Sequence, residues 1–131
     1  MGEKKTTTVM IVEDDDQLLF LIDKKLTINK INTILVNSTK RFTEIMNLSD
    51  LPDIDLFWLD FYLGDGDAFG LIEKIKSIKK YKDTPIIIVS NSMDETRVKY
   101  MLSLGVQKYF LKAGSSLQEL IDEVVKYTKE N

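Results

Sequence analysis

Cysteine and histidine are both absent from the 131 residues, and each absence removes whole classes of chemistry. Without cysteine there is no disulfide, and the composition suits a reducing compartment. Without imidazole there is no histidine-based catalytic triad, no histidine-ligated zinc and no phosphohistidine formed within the chain. Any chemistry must run on carboxylates, hydroxyls and lysine. No apolar run approaches the roughly 20 residues of a membrane-spanning helix, and the polar start Met1-Gly2-Glu3-Lys4-Lys5-Thr6 does not read as a secretory signal. Nor is there an excess of basic charge. The formal net charge is −3, which gives no general electrostatic reason to bind nucleic acid or to insert into or coat a membrane. A cytoplasmic protein is the expectation. What is present, 44% hydrophobic and 30% charged residues, is the composition of a folded chain, and its length suits one domain.

Short apolar runs alternate with stretches of helical period, with no repeat, low-complexity tract or linker between them. Thr8-Val9-Met10-Ile11-Val12 reads as a first strand, and Leu18, Leu19, Ile22 and Leu26 form the core stripe of a following helix. Ile34-Leu35-Val36, the shortest and most polar-flanked strand, suits a sheet edge and leads to a helix bearing Phe42, Ile45 and Met46. Ile54-Asp55-Leu56-Phe57-Trp58-Leu59 is nearly continuous apolar sequence, as a strand buried on both faces requires. A Gly/Asp loop precedes a helix marked by Phe69, Ile72, Ile75 and the Lys79 stem, and Pro85 opens the strand Ile86-Ile87-Ile88-Val89. Ser92-Met93-Asp94-Glu95 has the form of a capping box for a helix that ends at Gly105. Tyr109-Phe110-Leu111 is a fifth strand, Ser116-Leu117-Gln118-Glu119 a second capping box, and Leu117, Leu120, Ile121, Val124 and Val125 line the last helix. Five strand–helix units in series predict an α/β doubly wound fold, a five-stranded parallel sheet with helices on both faces. The expected boundaries are a flexible N-terminal tail over 1–7 and a domain over 8–129.

In such sheets ligands bind outside the carboxyl ends of the strands. Glu13 and Asp14 follow the first strand, with Asp15 and Asp16 behind them; Asp60 follows the third, Ser90 the fourth and Lys112 the fifth. If strands one, three, four and five lie side by side, these groups converge. Carboxylates about 5 Å apart repel by roughly 3 kcal/mol per pair at an effective dielectric near 20. Such a cluster recruits a cation, and all-oxygen ligands favour a hard one such as Mg²⁺ (or Mn²⁺). Asp60 then has the chemistry of a carboxylate nucleophile towards a phosphoryl group, with Ser90 and Lys112 placed to meet two of the equatorial oxygens. Each residue also has a plainer reading. Asp14 to Asp16 suit a helix N-terminus, with Asp15 or Asp16 as its cap; Asp60 suits an Asx turn before Gly64 and Gly66; Ser90 suits a local cap and Lys112 a solvated surface. Those readings must hold independently at four strand ends, so the joint pattern carries the argument.

From about Thr8 to Lys129 the sequence resembles the receiver domains of two-component signalling, chemotaxis-regulator-like and single-domain. The resemblance rests on Ile11-Val12-Glu13-Asp14, Leu59-Asp60 with Gly64-Asp65-Gly66-Asp67, Ile86-Ile87-Ile88-Val89-Ser90 and Tyr109-Phe110-Leu111-Lys112. It implies a flavodoxin-like sheet of order 2-1-3-4-5 and a Mg²⁺ site formed by Glu13, Asp14, Asp60 and the Tyr62 backbone carbonyl. It implies Asp60 as phosphoacceptor, Ser90 as switching hydroxyl, Lys112 as phosphoryl-binding ammonium, and Tyr109 as the aromatic that changes rotamer. Four positions depart from the family pattern. Gly64 stands where Pro is frequent, which leaves room for a looser loop, and Ala68 replaces a usual Gly at the start of the third helix. Asn91 stands where a small residue is usual, with restricted access or slower hydrolysis as its expected effect. Ala113 replaces a Pro that usually follows the Lys through a cis bond; a non-proline cis bond costs about 3 kcal/mol, so a trans or visibly strained peptide is expected.

The expectation is a signalling switch, not an enzyme, that takes its phosphoryl group from a histidine kinase or histidine phosphotransfer protein. It would then present the face of the fourth helix, fifth strand and fifth helix, with Arg97, Lys99, Tyr100, Met101 and Tyr109 as surface members, to an unknown downstream protein or to a second copy in a homodimer. With a single helix after Lys112, no DNA-binding output domain is expected within these residues. The alternative is a receiver-like interaction module that works independently of phosphate. A phosphatase would need an acid–base Asp where Tyr62 stands, and a flavin-binding flavodoxin a phosphate loop where four acids follow the first strand. A calcium loop at Asp65-Gly66-Asp67 fails because Phe69 occupies the next oxygen position.

Overall fold

β-Branched and large apolar residues dominate the strands because both faces of a parallel sheet are covered. The computed structural model describes residues 6–91, 94–114 and 116–130. In chain order these form β1 (Thr8–Val12), α1 (Asp16–Ile28), β2 (Asn32–Val36), α2 (Thr39–Met46), β3 (Leu56–Asp60), α3 (Ala68–Ser77), β4 (Ile86–Ser90), α4 (Glu95–Ser103), β5 (Lys108–Leu111), a 3₁₀ turn (Lys112–Gly114) and α5 (Leu117–Glu130). The strands pair in parallel in the order β2-β1-β3-β4-β5. The doubly wound, flavodoxin-like sheet expected from the sequence is therefore the architecture. Most of the segment expected as an N-terminal tail, residues 1–5, lies outside the described residues.

Alternation along each strand divides the interior in two. Met10, Phe57, Leu59, Ile86 and Ile88 pack with Phe42, Ile72, Ile75 and Met101 under α2, α3 and α4. Val9, Ile11, Trp58, Ile87 and Val89 pack with Leu19, Ile22, Leu26, Ile121 and Val124 under α1 and α5. Every residue of β3 and of β4 is buried, so the strands that carry Asp60 and Ser90 are both enclosed.

Local chemistry shifts several boundaries. β2 runs over five residues and is not the shortest strand; β5 has four. β3 begins at Leu56, since the Asp55 carboxylate and amide are both taken by the backbone of Thr8. α3 stops at Ser77 with Ile78 extended, so Lys79 lies beyond it. α4 is capped by Asp94, whose Oδ1 accepts the Arg97 N–H at 2.8 Å; Ser92 and Met93 of the expected capping box lie outside the described residues. Gly105 ends that helix at φ 96°, as its position predicts. Ser116 and Glu119 do cap α5 reciprocally, with Glu119 N–H on Ser116 Oγ and Ser116 N–H on Glu119 Oε1. Met101, expected at the surface, is fully buried because Val98 and Met101 share the inward side of α4; the outward side carries Tyr100 and Leu102.

The segment after β3 is ordered beyond expectation. Tyr62–Leu63 and Gly66–Asp67 form a small antiparallel hairpin. Asp65 at its tip accepts the Thr39 and Lys40 amides at 2.9 and 3.1 Å, adding a second cap to α2 beside Ser38. Those amides hold the Asp65 carboxyl below its usual range. A Cβ on Gly66 would meet Thr39 Cγ2 at 3.0 Å, so the hairpin passes close to α2 at this point. Ala68 accepts its departure without distortion: fully buried, it starts α3 with its N–H on Phe61 O at 2.8 Å.

Candidate functional site

Strand register assembles the site. Val12 pairs with Leu59, Asp60 with Val89 and Ser90 with Leu111. The chain leaving β1 at Glu13 therefore meets the end of β3 at Asp60, and the chain leaving β5 at Lys112 lies beyond the end of β4.

Glu13, Asp14 and Asp60 each offer a carboxylate oxygen, and the three lie within 4.8 Å of one another. Glu13 and Asp60 are buried while Asp14 is exposed. Lys112 Nζ sits 2.9 Å from Glu13 Oε1 and 3.4 Å from Asp60 Oδ2, the one cation within 4 Å of these acids among the described residues. Glu13 Oε2 also accepts the Asp15 N–H at 3.2 Å, and Asp15 Oδ1 caps α1 through Gln17 and Leu18. Asp14 Oδ2 accepts the Gly64 N–H at 3.0 Å.

One lysine does not balance three carboxylates. Burial first, then the charge of Glu13, push the Asp60 carboxyl up to about 7, against an attraction from Lys112 that offsets only part of the penalty. Burial acts on Lys112 in the opposite sense, but its hydrogen bond to Glu13 and the charges of Asp60 and Glu13 outweigh it and leave the ammonium above its ordinary value. The pocket thus holds a permanently charged donor beside a cluster short of positive charge. Hard oxygen ligands in that deficit fit a divalent cation of the Mg²⁺ or Mn²⁺ type.

Of the other predicted residues, Ser90 ends β4 fully buried. Tyr109 on β5 packs against the α4-side core, and its hydroxyl is buried with no hydrogen-bond partner among the described residues; burial raises its pKa. Tyr62 stands half-exposed in the hairpin, with its ring under the Arg97 guanidinium at 5.9 Å and its hydroxyl hydrogen-bonded to it. Asn91 is exposed just past Ser90. The Lys112–Ala113 peptide is trans, as the loss of the proline predicts. The loop expected to loosen at Gly64 is instead held at both strands and at its tip. Sequence reasoning missed the Gly64 amide at Asp14; the signal for it was that any residue except proline there supplies an N–H.

The family model for the response regulator receiver domain matches residues 9–125. The two-component response regulator ORR5 of Oryza sativa subsp. japonica is 27% identical over 77 residues, 59% of this chain and 56% of ORR5, so the match spans little more than half of that relative's length. Among solved structures, the non-phosphorylated HemR receiver domain of Leptospira biflexa is 26% identical with a TM-score of 0.77, over 92% of this chain and 94% of that one. The Mn²⁺-bound form of response regulator Rcp1 has a TM-score of 0.76 at 21% identity, over 92% of this chain and 90% of that one, a likeness of fold.

Proposed function

The chain belongs to the response regulator receiver domain family, and on that premise we propose that it is a phosphoacceptor switch whose Asp60 receives a phosphoryl group from a histidine kinase or histidine phosphotransfer protein. The observation that carries the reading is the buried Asp60 carboxylate, flanked by Glu13 and Asp14 within 4.8 Å and by the Lys112 ammonium at 3.4 Å.

Glu13, Asp14 and Asp60, with the Tyr62 backbone carbonyl, would hold Mg²⁺ or Mn²⁺, which supplies neutralisation of the phosphoryl oxygens when bound. An Asp60 oxygen attacks phosphorus, a P–O bond forms to give the acyl phosphate, and the P–N bond to the donor imidazole breaks with its electron pair leaving on nitrogen. Lys112, already between the two buried acids, pairs with a phosphoryl oxygen as the Asp60 charge moves outward. Ser90 turns towards another oxygen, and Tyr109, whose buried hydroxyl gives up no partner among the described residues, follows it. The α4–β5–α5 face, where Arg97, Lys99 and Tyr100 are exposed, then changes for a downstream protein or a second copy. The chain acts as a switch, with no separate substrate to turn over, in the cytoplasm; no helix among the described residues is long and apolar enough to cross a membrane.

Incubation with a small acyl phosphate and Mg²⁺ is expected to add one phosphoryl group by intact mass, chelation to prevent it and Asp60→Asn to abolish it. An adduct that survives Asp60→Asn contradicts the proposal. Absence of any adduct in the wild type favours an interaction module that ignores phosphate.

A further inference from the structure

Resting on the reading of Glu13, Asp14 and Asp60 as a metal site, we propose that the backbone amide of Gly64 is a positioning group that holds Asp14 in place to receive the cation. Asp14 is the one exposed member of the three. Glu13 is fixed by Lys112 and by the Asp15 amide, and Asp60 by its place in β3 and by Lys112. The Asp14 side chain has a single hydrogen bond among the described residues, from Gly64 N–H to Oδ2 at 3.0 Å. Free of it, an exposed aspartate turns among its rotamers. Tied by it, one oxygen is occupied and the other is left for a ligand.

The donor is itself held still. Gly64 stands at the turn of the hairpin between Leu63 and Gly66, which pair with each other, and Asp65 pins that turn to the Thr39 and Lys40 amides. Tyr62 is gripped by Arg97 of α4 at the hairpin's other end. The amide is therefore aimed from a segment anchored to two helices. A proline at this position has no N–H to give, so replacement of proline by glycine here adds a support for the metal ligand. Alanine would serve as well: Gly64 is outside the left-handed region, and an added Cβ would lie 3.6 Å from Asp14 Oδ2, an ordinary contact.

Mn²⁺ titration of the wild type, Gly64→Ala and Gly64→Pro, followed through the paramagnetic resonance of free Mn²⁺, tests this. Gly64→Ala is expected to keep an affinity close to the wild type, and Gly64→Pro to bind about tenfold more weakly, as loss of an outer-shell partner does. Equal affinity of Gly64→Pro and wild type overturns the positioning role while leaving the metal site intact. A wild type that binds no Mn²⁺ overturns the metal site and the positioning role with it. Should circular dichroism find Gly64→Pro unfolded, the ¹H–¹⁵N spectrum decides: in Asp14→Ala the Gly64 amide is expected to move upfield and exchange faster than in the wild type. An unmoved Gly64 resonance overturns the inference.

Discussion

Lys112→Met is expected to slow phosphoryl uptake about 100-fold, the scale on which loss of one charge-stabilising donor acts, while Mg²⁺ binds as tightly as in the wild type or more tightly. The second half follows from the geometry. Nζ lies 2.9 Å from Glu13 and 3.4 Å from Asp60, so it competes with a cation for the same oxygens and its removal relieves that competition. Without metal the variant should lose about 3 kcal/mol of stability at pH 8. That is the low end for breaking a buried pair, because the Lys112 side chain keeps 20% exposure. The pH dependence has a definite sign. The Lys112 pKa is raised, so its charged contribution is complete below its ordinary value of 10.5 and lost only above it. On the acid side the Asp60 share of the contribution fades as Asp60 takes up its proton around pH 7, leaving the hydrogen bond to Glu13. Urea unfolding at pH 5 and pH 8, with Mg²⁺ titration beside it, checks both. A variant equally destabilised at the two values, or one that loses its metal affinity, would mean that Lys112 supports the backbone and not the charge balance.

Asp60→Asn should stabilise the metal-free protein even as it removes the phosphoacceptor. With a carboxyl that moves from 3.8 to about 7 on folding, the native state keeps a proton that the unfolded chain has already released. Wild-type stability therefore falls as pH rises between those values, and the full penalty applies above them. The amide substitution removes it, for a gain of about 1–3 kcal/mol at pH 8; the Lys112 attraction is already contained in the raised value, and solvent access to the pocket reduces the gain. The gain should shrink towards zero near pH 4, as the unfolded carboxyl too takes up its proton around 3.8. Saturating Mg²⁺ narrows the gap. The wild type gains by mass action, about 2.7 kcal/mol at a hundred times the dissociation constant, and Asp60→Asn, one ligand short, gains less. Thermal unfolding at pH 4 and pH 8 with and without Mg²⁺ measures all four terms. Asp60→Asn no more stable than the wild type at pH 8 would mean that the three acids do not strain the fold.

The sheet was legible because its strands are buried on both faces and announce themselves as apolar runs, and the site because each run ends in a residue able to do chemistry: Glu13, Asp60, Ser90, Lys112. What escaped the sequence acts through the backbone or through packing against the sheet. Gly64 read as a source of looseness, since an amide has no side-chain signature, yet its N–H and the Asp65 carboxylate tie the hairpin down. The α4 start read as a capping box from Ser92, where Asp94 is the cap, and Met101, expected at the surface, lies on the inward side of that helix, a placement set by packing against the sheet.

The most direct measurement locates the phosphoryl group itself. Protein treated with acyl phosphate and Mg²⁺ is reduced with borohydride, which converts an aspartyl phosphate to homoserine, and the peptides are sequenced by mass spectrometry. Homoserine at position 60 is the predicted result. Homoserine at Asp14 or Asp65 with an unmodified Asp60 would contradict the account.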